Sequence, residues 1–240
     1  RAHTADIDDA DFLNMDIQQL MEVTVTSVSK KPEKLQDTPA AAFVISQEDI
    51  RRSGVTNIAD ALAMAPGLQV ARISASKWTV SSRGFPGYTS NKLLVMIDGR
   101  SVYSPAYSGT FWDVQNVMLE DVERIEVVRG PGGTMWGANA FNGVINIITK
   151  SAKDTQDNLI RVGVGTKERV LGAGRAGGEI GENIYGRFYA KYNDRAANSN
   201  VKVQNSVVSH DDANDGWNNL QAGFRIDGEV SSDTEWTVQG

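Results

Sequence analysis

The 240-residue sequence contains no cysteine, so disulfides, thiolate metal sites and cysteine nucleophiles are excluded outright. Its two histidines, His3 and His210, fall in an acidic leading stretch and in a polar stretch, leaving no support for a Ser-His-Asp arrangement or a histidine-based metal centre. The acidic pairs Asp8-Asp9 and Asp211-Asp212 read as solvated charge, not as a carboxylate dyad. No catalytic residue, metal site or cofactor is therefore expected, and the chain is not expected to be an enzyme. A net charge of -6, with the basic residues scattered, removes the electrostatic footprint of nucleic-acid binding. No apolar run is long enough for a membrane-spanning helix. The opening stretch RAHTADIDDADF lacks the charged start, apolar core and cleavage pattern of a signal peptide, so any such peptide is expected to have been removed.

What remains is an apolar fraction of 40%, enough for a real core, and a change of character near Lys150. Before it, short helical patterns alternate with short apolar strands. Asp16 is placed to cap a turn carrying Ile17, Leu20 and Met21, and EVTVTSVSKKPEKL is expected to run extended into Pro32. AAFVIS reads as a buried strand. Ser46 followed by Asp49 has the spacing of a capping box opening a short helix that Gly54 ends. Thr56 is expected to cap the next helix, with Ile58, Leu62 and Ala65 on one face before Pro66-Gly67 stops it. Strands are predicted at LQVAR, TVSSRG, LLVMIDG, RIEVVRG and GVINIITK, with Asp98-Gly99 as a tight turn. Such a mixture predicts an α+β domain, a mixed sheet with short helices.

After Lys150 the pattern has period two. Ile160, Val162 and Val164 share one face against Arg161 and glycines; Ile184, Gly186, Phe188, Ala190 and Tyr192 oppose Tyr185, Arg187, Tyr189 and Lys191. Leu220, Ala222, Phe224 and Ile226 likewise oppose Gln221, Gly223, Arg225 and Asp227. A soluble sandwich can alternate in this way. The small and aromatic outward set, the inward charges, a long polar connection over Asn193–Asp215 and the tight GEIGEN favour antiparallel β-strands of an incomplete transmembrane β-barrel.

The stretch VERIEVVRGPGGTMWGANAFNGVINIITK raises the question of a phosphate cradle. It has no Gly-Lys-Ser/Thr ending and no G-x-G-x-x-G, so Gly130, Gly132, Gly133, Gly137 and Gly143 are assigned structural roles, positive φ or close approach of strands. A nucleotide-binding enzyme or hydrolase built on Gly132 and Gly133 is the least favoured reading.

NKLLVMIDGR and the glycine-rich stretch, with KLQDTPAAAFVISQEDIRRSGVTNIADALAMAPGLQV upstream, resemble the plug domain of TonB-dependent outer-membrane receptors over roughly Val23 to Lys150. The alternating region looks like the first four or five strands of the family's barrel. The family's plug fills the lumen of a barrel of about 22 strands. The resemblance implies a receptor that binds a scarce, bulky nutrient, such as a siderophore, cobalamin, haem or a saccharide. Import uses energy relayed by TonB through plug remodelling. It divides the chain into an N-terminal extension (1–29), a plug (30–150) and truncated barrel strands (151–240), a fragment of a longer protein placed in the outer membrane of a Gram-negative bacterium with the plug facing the periplasm. Partners implied are TonB, outer-membrane lipid and an unidentified nutrient.

The resemblance also assigns residues. Glu22, Val23, Thr24, Val25 and Thr26 match the coupling segment, the TonB box, which a partner's sheet edge captures as an added strand; an ordinary plug edge strand is the alternative. Arg83 and Arg129 match two plug arginines that pair with barrel glutamates, although Glu123 and Glu126 are nearer candidates for pairing inside the plug. Lys77, Trp78, Tyr88, Tyr107, Phe111 and Trp112 lie in candidate substrate-facing apices; packing of Phe111 and Trp112 against the barrel wall fits equally well. A function of another class stays open: a free-standing periplasmic binding module with the plug fold, whose later strands form a soluble sheet.

Overall fold

The computed structural model describes residues 24–28, 31, 33–34, 41–84, 92–106, 108–130, 133–137, 139–198, 214–231 and 234–240. The Asp16 turn, both histidines and both acidic pairs lie outside them, as do Glu22, Val23, Pro32, Tyr88, Tyr107 and Gly132.

A first short hairpin pairs β1 (Thr24–Val25) with β2 (Glu33–Lys34). This corrects the expectation of one extended run, because the chain turns at Ser27–Val28 and folds back. β3 (Ala41–Ser46) leads into α1 (Gln47–Ser53) through the predicted capping box: Ser46 Oγ accepts the Asp49 amide at 3.1 Å while the Asp49 carboxylate accepts the Ser46 amide at 2.9 Å. Gly54, at φ 69°, closes the helix in the left-handed conformation. The next helix, α2 (Ile58–Ala61), is capped by Asn57, not by Thr56 as the sequence suggested. Asn57 accepts the Asp60 amide, whereas the Thr56 carbonyl turns outward to accept from Lys191. A 3-10 turn (Leu62–Met64) follows.

β4 (Leu68–Arg72) and β5 (Trp78–Ser82) form an antiparallel hairpin. The main sheet takes β6 (Leu93–Ile97), β7 (Arg100–Ser101), β8 (Val122–Arg129) and β9 (Gly143–Thr149) in the order β3-β8-β9-β6-β7. The β6–β9 pair is parallel and the others antiparallel, so the sheet is mixed. Asp98 and Gly99, at φ 49° and 77°, make the tight turn between β6 and β7. Helix α3 (Gly133–Trp136) lies between β8 and β9.

The apolar runs are continuous because both sheet faces are covered. On one face Ile45, Ile125, Val127, Ile145 and Ile147 pack with Ile50, Ile58, Leu62, Trp78 and Val80. On the other, Leu94, Met96, Val128 and Val144 meet Ala140, Val28 and Trp136.

Past a 3-10 turn (Lys153–Thr155), five antiparallel strands form a meander: β10 (Leu159–Val164), β11 (Glu168–Gly181), β12 (Ile184–Arg195), β13 (Trp217–Ser231) and β14 (Thr234–Gln239). β11, β12 and β13 have 14, 12 and 15 residues, more than the ~9–11 that a tilted strand needs to cross a bilayer. The predicted faces hold. Ile160, Val162, Val164, Phe188 and Leu220 stay exposed, while Arg175, Arg187, Lys191 and Arg195 are buried against the first domain. Among the described residues the outer edges of β10 and β14 carry no further strand, so the sheet is an unclosed wall.

Ile145 is fully buried. Ile145→Ala should lower plug stability by about 2–5 kcal/mol, seen as an earlier denaturant midpoint in the emission of the buried Trp78 and Trp112. Hydrogen bonds from Arg51 and then Arg52 hold the Glu48 carboxyl down at about 2, against an ordinary 4.5. Its folded pKa is depressed, so its contribution is complete above pH 4.5 and is lost as pH falls toward 2. Glu48→Gln should flatten the stability-versus-pH profile in that window and leave the rest of the profile parallel to the parent's.

Candidate functional site

The site is the seam where the mixed-sheet domain meets the wall, together with the β1 strand at one extremity. β1 is held from below by Glu126 of β8, a carboxylate only 1% exposed. Its Oε2 accepts the amides of Thr26 and Ser27 at 2.9 and 2.8 Å, and the Thr26 hydroxyl reaches both carboxylate oxygens at 3.3 Å. Arg124, one strand step away on the same face, donates from Nε at 3.0 Å and supplies the compensating charge. Val25 is buried while Thr24 is exposed, and Trp136 Nε1 donates to the Ser27 carbonyl at 2.8 Å.

The seam is polar. Asp121, ending a 3-10 turn (Leu119–Asp121), is 1% exposed and ion-paired with Arg175 of β11; Arg187 Nε of β12 lies 3.6 Å from its other oxygen. Arg187 also donates to the Lys150 carbonyl at 2.7 Å and to Thr149 Oγ1 at 3.1 Å. Thr149 gathers the rest: its amide and hydroxyl donate to Asp98 at 2.7 and 2.9 Å, and its hydroxyl accepts from Arg225 at 2.9 Å. Arg161 pairs with Glu120. A polar cavity of about 290 Å³ remains between the two layers, lined by Asp98, Asn116, Asp121, Arg187, Gln221 and Arg225 among others. Around Asp98, Glu120 and Asp121, carboxylates thus stand on the mixed-sheet domain and guanidinium groups on the wall.

Towards the other end of the strands, Lys191 Nζ donates to the Thr56 carbonyl at 3.1 Å. The guanidinium groups of Arg72 and Arg195 lie over the Trp78 ring, 4.9 and 4.8 Å from its centroid, and Trp78 donates to Asp60 at 2.8 Å. Glu168 joins the two arginines, 2.7 Å from Arg195 and 3.8 Å from Arg72. Asp215, just before β13, accepts the Ala75 amide of the β4–β5 turn at 2.8 Å and the Asn198 amide at 2.7 Å. Burial opposes ionisation of Asp215, but the hydrogen bonds from Asn198 and Ala75 outweigh it and hold the carboxyl below the usual range.

Two apex assignments need correction. Trp78, 2% exposed, and Trp112, 7% exposed, belong to the main core and are not surface groups awaiting a ligand. Phe111 is half-buried, and Lys77 is exposed at the β4–β5 turn. Arg83 is exposed, and among the described residues neither Arg83 nor Arg129 meets a carboxylate within ion-pairing distance. Glu123 and Glu126 pair instead with Arg124. Among the described residues the buried Nε of Arg129 has no hydrogen-bond partner.

Gly130 has φ 127°, closed to other residues, and a Cβ on Gly143 would stand 2.4 Å from the Val128 carbonyl, so β8 and β9 need bare backbone there. Gly137 has a positive φ and Gly133 opens α3.

Asp98, Asp121, Arg175, Arg225, Lys191 and Asp215 escaped the sequence reading as a set. The inward positions of Arg187, Lys191 and Arg225 were legible from the two-residue period, but their partners lie tens of residues away.

Residues 34–144 match the family model described as TonB-dependent Receptor Plug Domain. The chain is 28% identical over 155 residues to a vitamin B12 transporter of Vibrio vulnificus, covering 65% of this chain and 25% of that protein. It is 35% identical over 140 residues to an iron-regulated outer membrane virulence protein of Vibrio cholerae, covering 56% of this chain and 21% of the other. In fold it matches the ferripyoverdine receptor of the Pseudomonas aeruginosa outer membrane with a TM-score of 0.68 at 20% identity, over 90% of this chain and 27% of that one. The chain spans about a quarter of the length of each of these relatives. With the plug match over residues 34–144, a mixed sheet seated on inward charges and an unclosed antiparallel wall, the chain carries the plug domain of TonB-dependent receptors and is similar to outer-membrane receptors in the strands that follow it.

Proposed function

We propose that this chain is the plug, over residues 30–150, and the first wall strands, over 151–240, of a receptor that imports a scarce bulky nutrient across the outer membrane of a Gram-negative bacterium. The observation that carries the reading is the seam: a plug whose buried carboxylates meet arginines on the inward face of a bilayer-length strand sheet. Such a plug blocks a lumen until it is moved. Movement is driven from the periplasmic side by TonB, which captures the segment 22–26 by adding it to a sheet edge. The cargo class follows the relatives, whose names cover vitamin B12 and ferripyoverdine. Cobalamin and ferric siderophores are both large, polar and scarce, and either suits a gated pore. Arg83 and Arg129 serve in this reading as the plug's contribution to carboxylates on strands beyond β14. The exposure of Arg83 and the unpartnered Nε of Arg129 support that assignment.

A free-standing periplasmic module is disfavoured. Ile160, Val164 and Leu220 are 84%, 82% and 73% exposed on the outer face of the wall, and both sheet edges lack a described neighbour. In water that surface would aggregate, whereas in a bilayer it is the required one.

Deleting Glu22 to Thr26 in the full-length receptor should abolish energised uptake of radiolabelled cobalamin or ferric siderophore while surface binding of the same ligand survives; undiminished uptake would remove the coupling assignment. Asp121→Ala removes the buried carboxylate between Arg175 and Arg187 and leaves Arg175 only the more exposed Asp157, a loss of about 3–5 kcal/mol for a buried pair broken from one side. It should unseat the plug enough to raise single-channel conductance of the reconstituted receptor, and conductance identical to the parent's would show that the seam does not hold the plug.

A further inference from the structure

We propose that Glu126 is the positioning residue that keeps the coupling strand stowed, by occupying the backbone donors that capture requires. The inference rests on the reading of residues 22–26 as the captured segment. Strand addition works through main-chain N–H and C=O groups, and a segment whose amides are already satisfied has nothing to offer a second sheet edge. The amides of Thr26 and Ser27 are both satisfied by one carboxylate oxygen of Glu126, and the Thr26 hydroxyl is satisfied by the same group. The Ser27 carbonyl is taken by Trp136. Thr26 closes the captured segment and Ser27 adjoins it, so bonding of the Thr26 amide to Glu126 and to a partner strand is mutually exclusive.

The surrounding contacts make the carboxylate decisive. The ladder between β1 and β2 is two residue pairs long, too short to hold by itself. Among the described residues Val25 is the one buried apolar anchor of the strand and the buried Ser27 hydroxyl has no hydrogen-bond partner, so the pocket is not fitted for maximal grip. Glu126 makes charge-assisted bonds, roughly twice as strong as neutral ones. It is also a latch that opens without leaving damage: when the segment departs, water replaces its two amides, and Arg124 stays beside the carboxylate to offset the charge.

The test uses the full-length receptor, in which the described chain provides a cysteine-free background. Cysteine is introduced at the buried Val25 or, as a core control, at the buried Leu62, and maleimide modification is timed without TonB. Glu126→Met keeps side-chain length but removes every acceptor. It should speed modification of Val25→Cys on the order of tenfold or more, and leave Leu62→Cys protected. Glu126→Gln retains one acceptor oxygen and should stay within roughly threefold of the parent. Equal rates at Val25→Cys in Glu126→Met and parent would overturn the proposal. So would matching exposure of Leu62→Cys, which would mark Glu126 as a general stabiliser of the plug. If Val25→Cys is unmasked while deletion of residues 22–26 leaves uptake intact, the contact stands but the coupling assignment fails, and with it the control of capture.

Discussion

Asp121 stands between two arginines, at the boundary of two layers that differ in every other respect, and its pairing sets what the rest can do. A carboxylate and two guanidinium groups cost several kcal/mol each to dehydrate, and they recover it only when all are brought together with their remaining hydrogen bonds made. Arg187 makes them with the carbonyl of Lys150 and the hydroxyl of Thr149, so the ion pair also fixes where β9 must end and the wall must begin. A seam made of such groups differs from an apolar one in how it parts. Separated apolar faces are penalised in proportion to the area exposed, whereas separated charges are received by water. The mixed-sheet domain is thereby specified in position without being fused to the wall.

The wall answers the same constraint from its other side. Its inward positions carry Arg161, Arg175, Arg187, Lys191, Arg195 and Arg225, and its outward positions carry Ile160, Val162, Val164, Phe188 and Leu220. One sheet satisfies both solvents because successive residues of a strand point to opposite faces. The tilted pair Phe188 and Phe224, 6.0 Å apart on adjacent strands, adds aromatic contact on the outward side. Neither face is a core in the ordinary sense, and the stability of the sheet depends on what adjoins it.

Much of this was legible in the sequence. The capping box at Ser46 and Asp49, the Asp98-Gly99 turn and the alternation of β12 and β13 are local signals, each contained within a few residues. The plug motifs were legible as well. The misplaced cap at Thr56 shows the limit, since Asn57 can fill the same role and the choice is settled by Lys191, 135 residues away. Trp78 misled for a related reason. A tryptophan beside serines and a lysine looks like a surface ligand, and only its packing into the main core, with Arg72 and Arg195 over its ring, makes it interior. The carboxylates of the seam were invisible in sequence because Asp98 and Asp121 sit in turns, where acidic residues are common for reasons of their own.

The distribution of holding strength within the plug follows from the same bookkeeping of partners. β8 and β9 share seven paired positions, and their neighbours cover both faces. β1 and β2 share two, with a single buried valine and a borrowed carboxylate. Local opening begins where buried apolar contact is scarce and backbone bonds are few, so β1 must open at a lower free energy than the sheet above it. The two β1–β2 pairs, the seat of Val25 and the amides held by Glu126 therefore give way before the β8–β9 ladder does, one carboxylate exchanging protein amides for water while the seam at Asp121 stays closed.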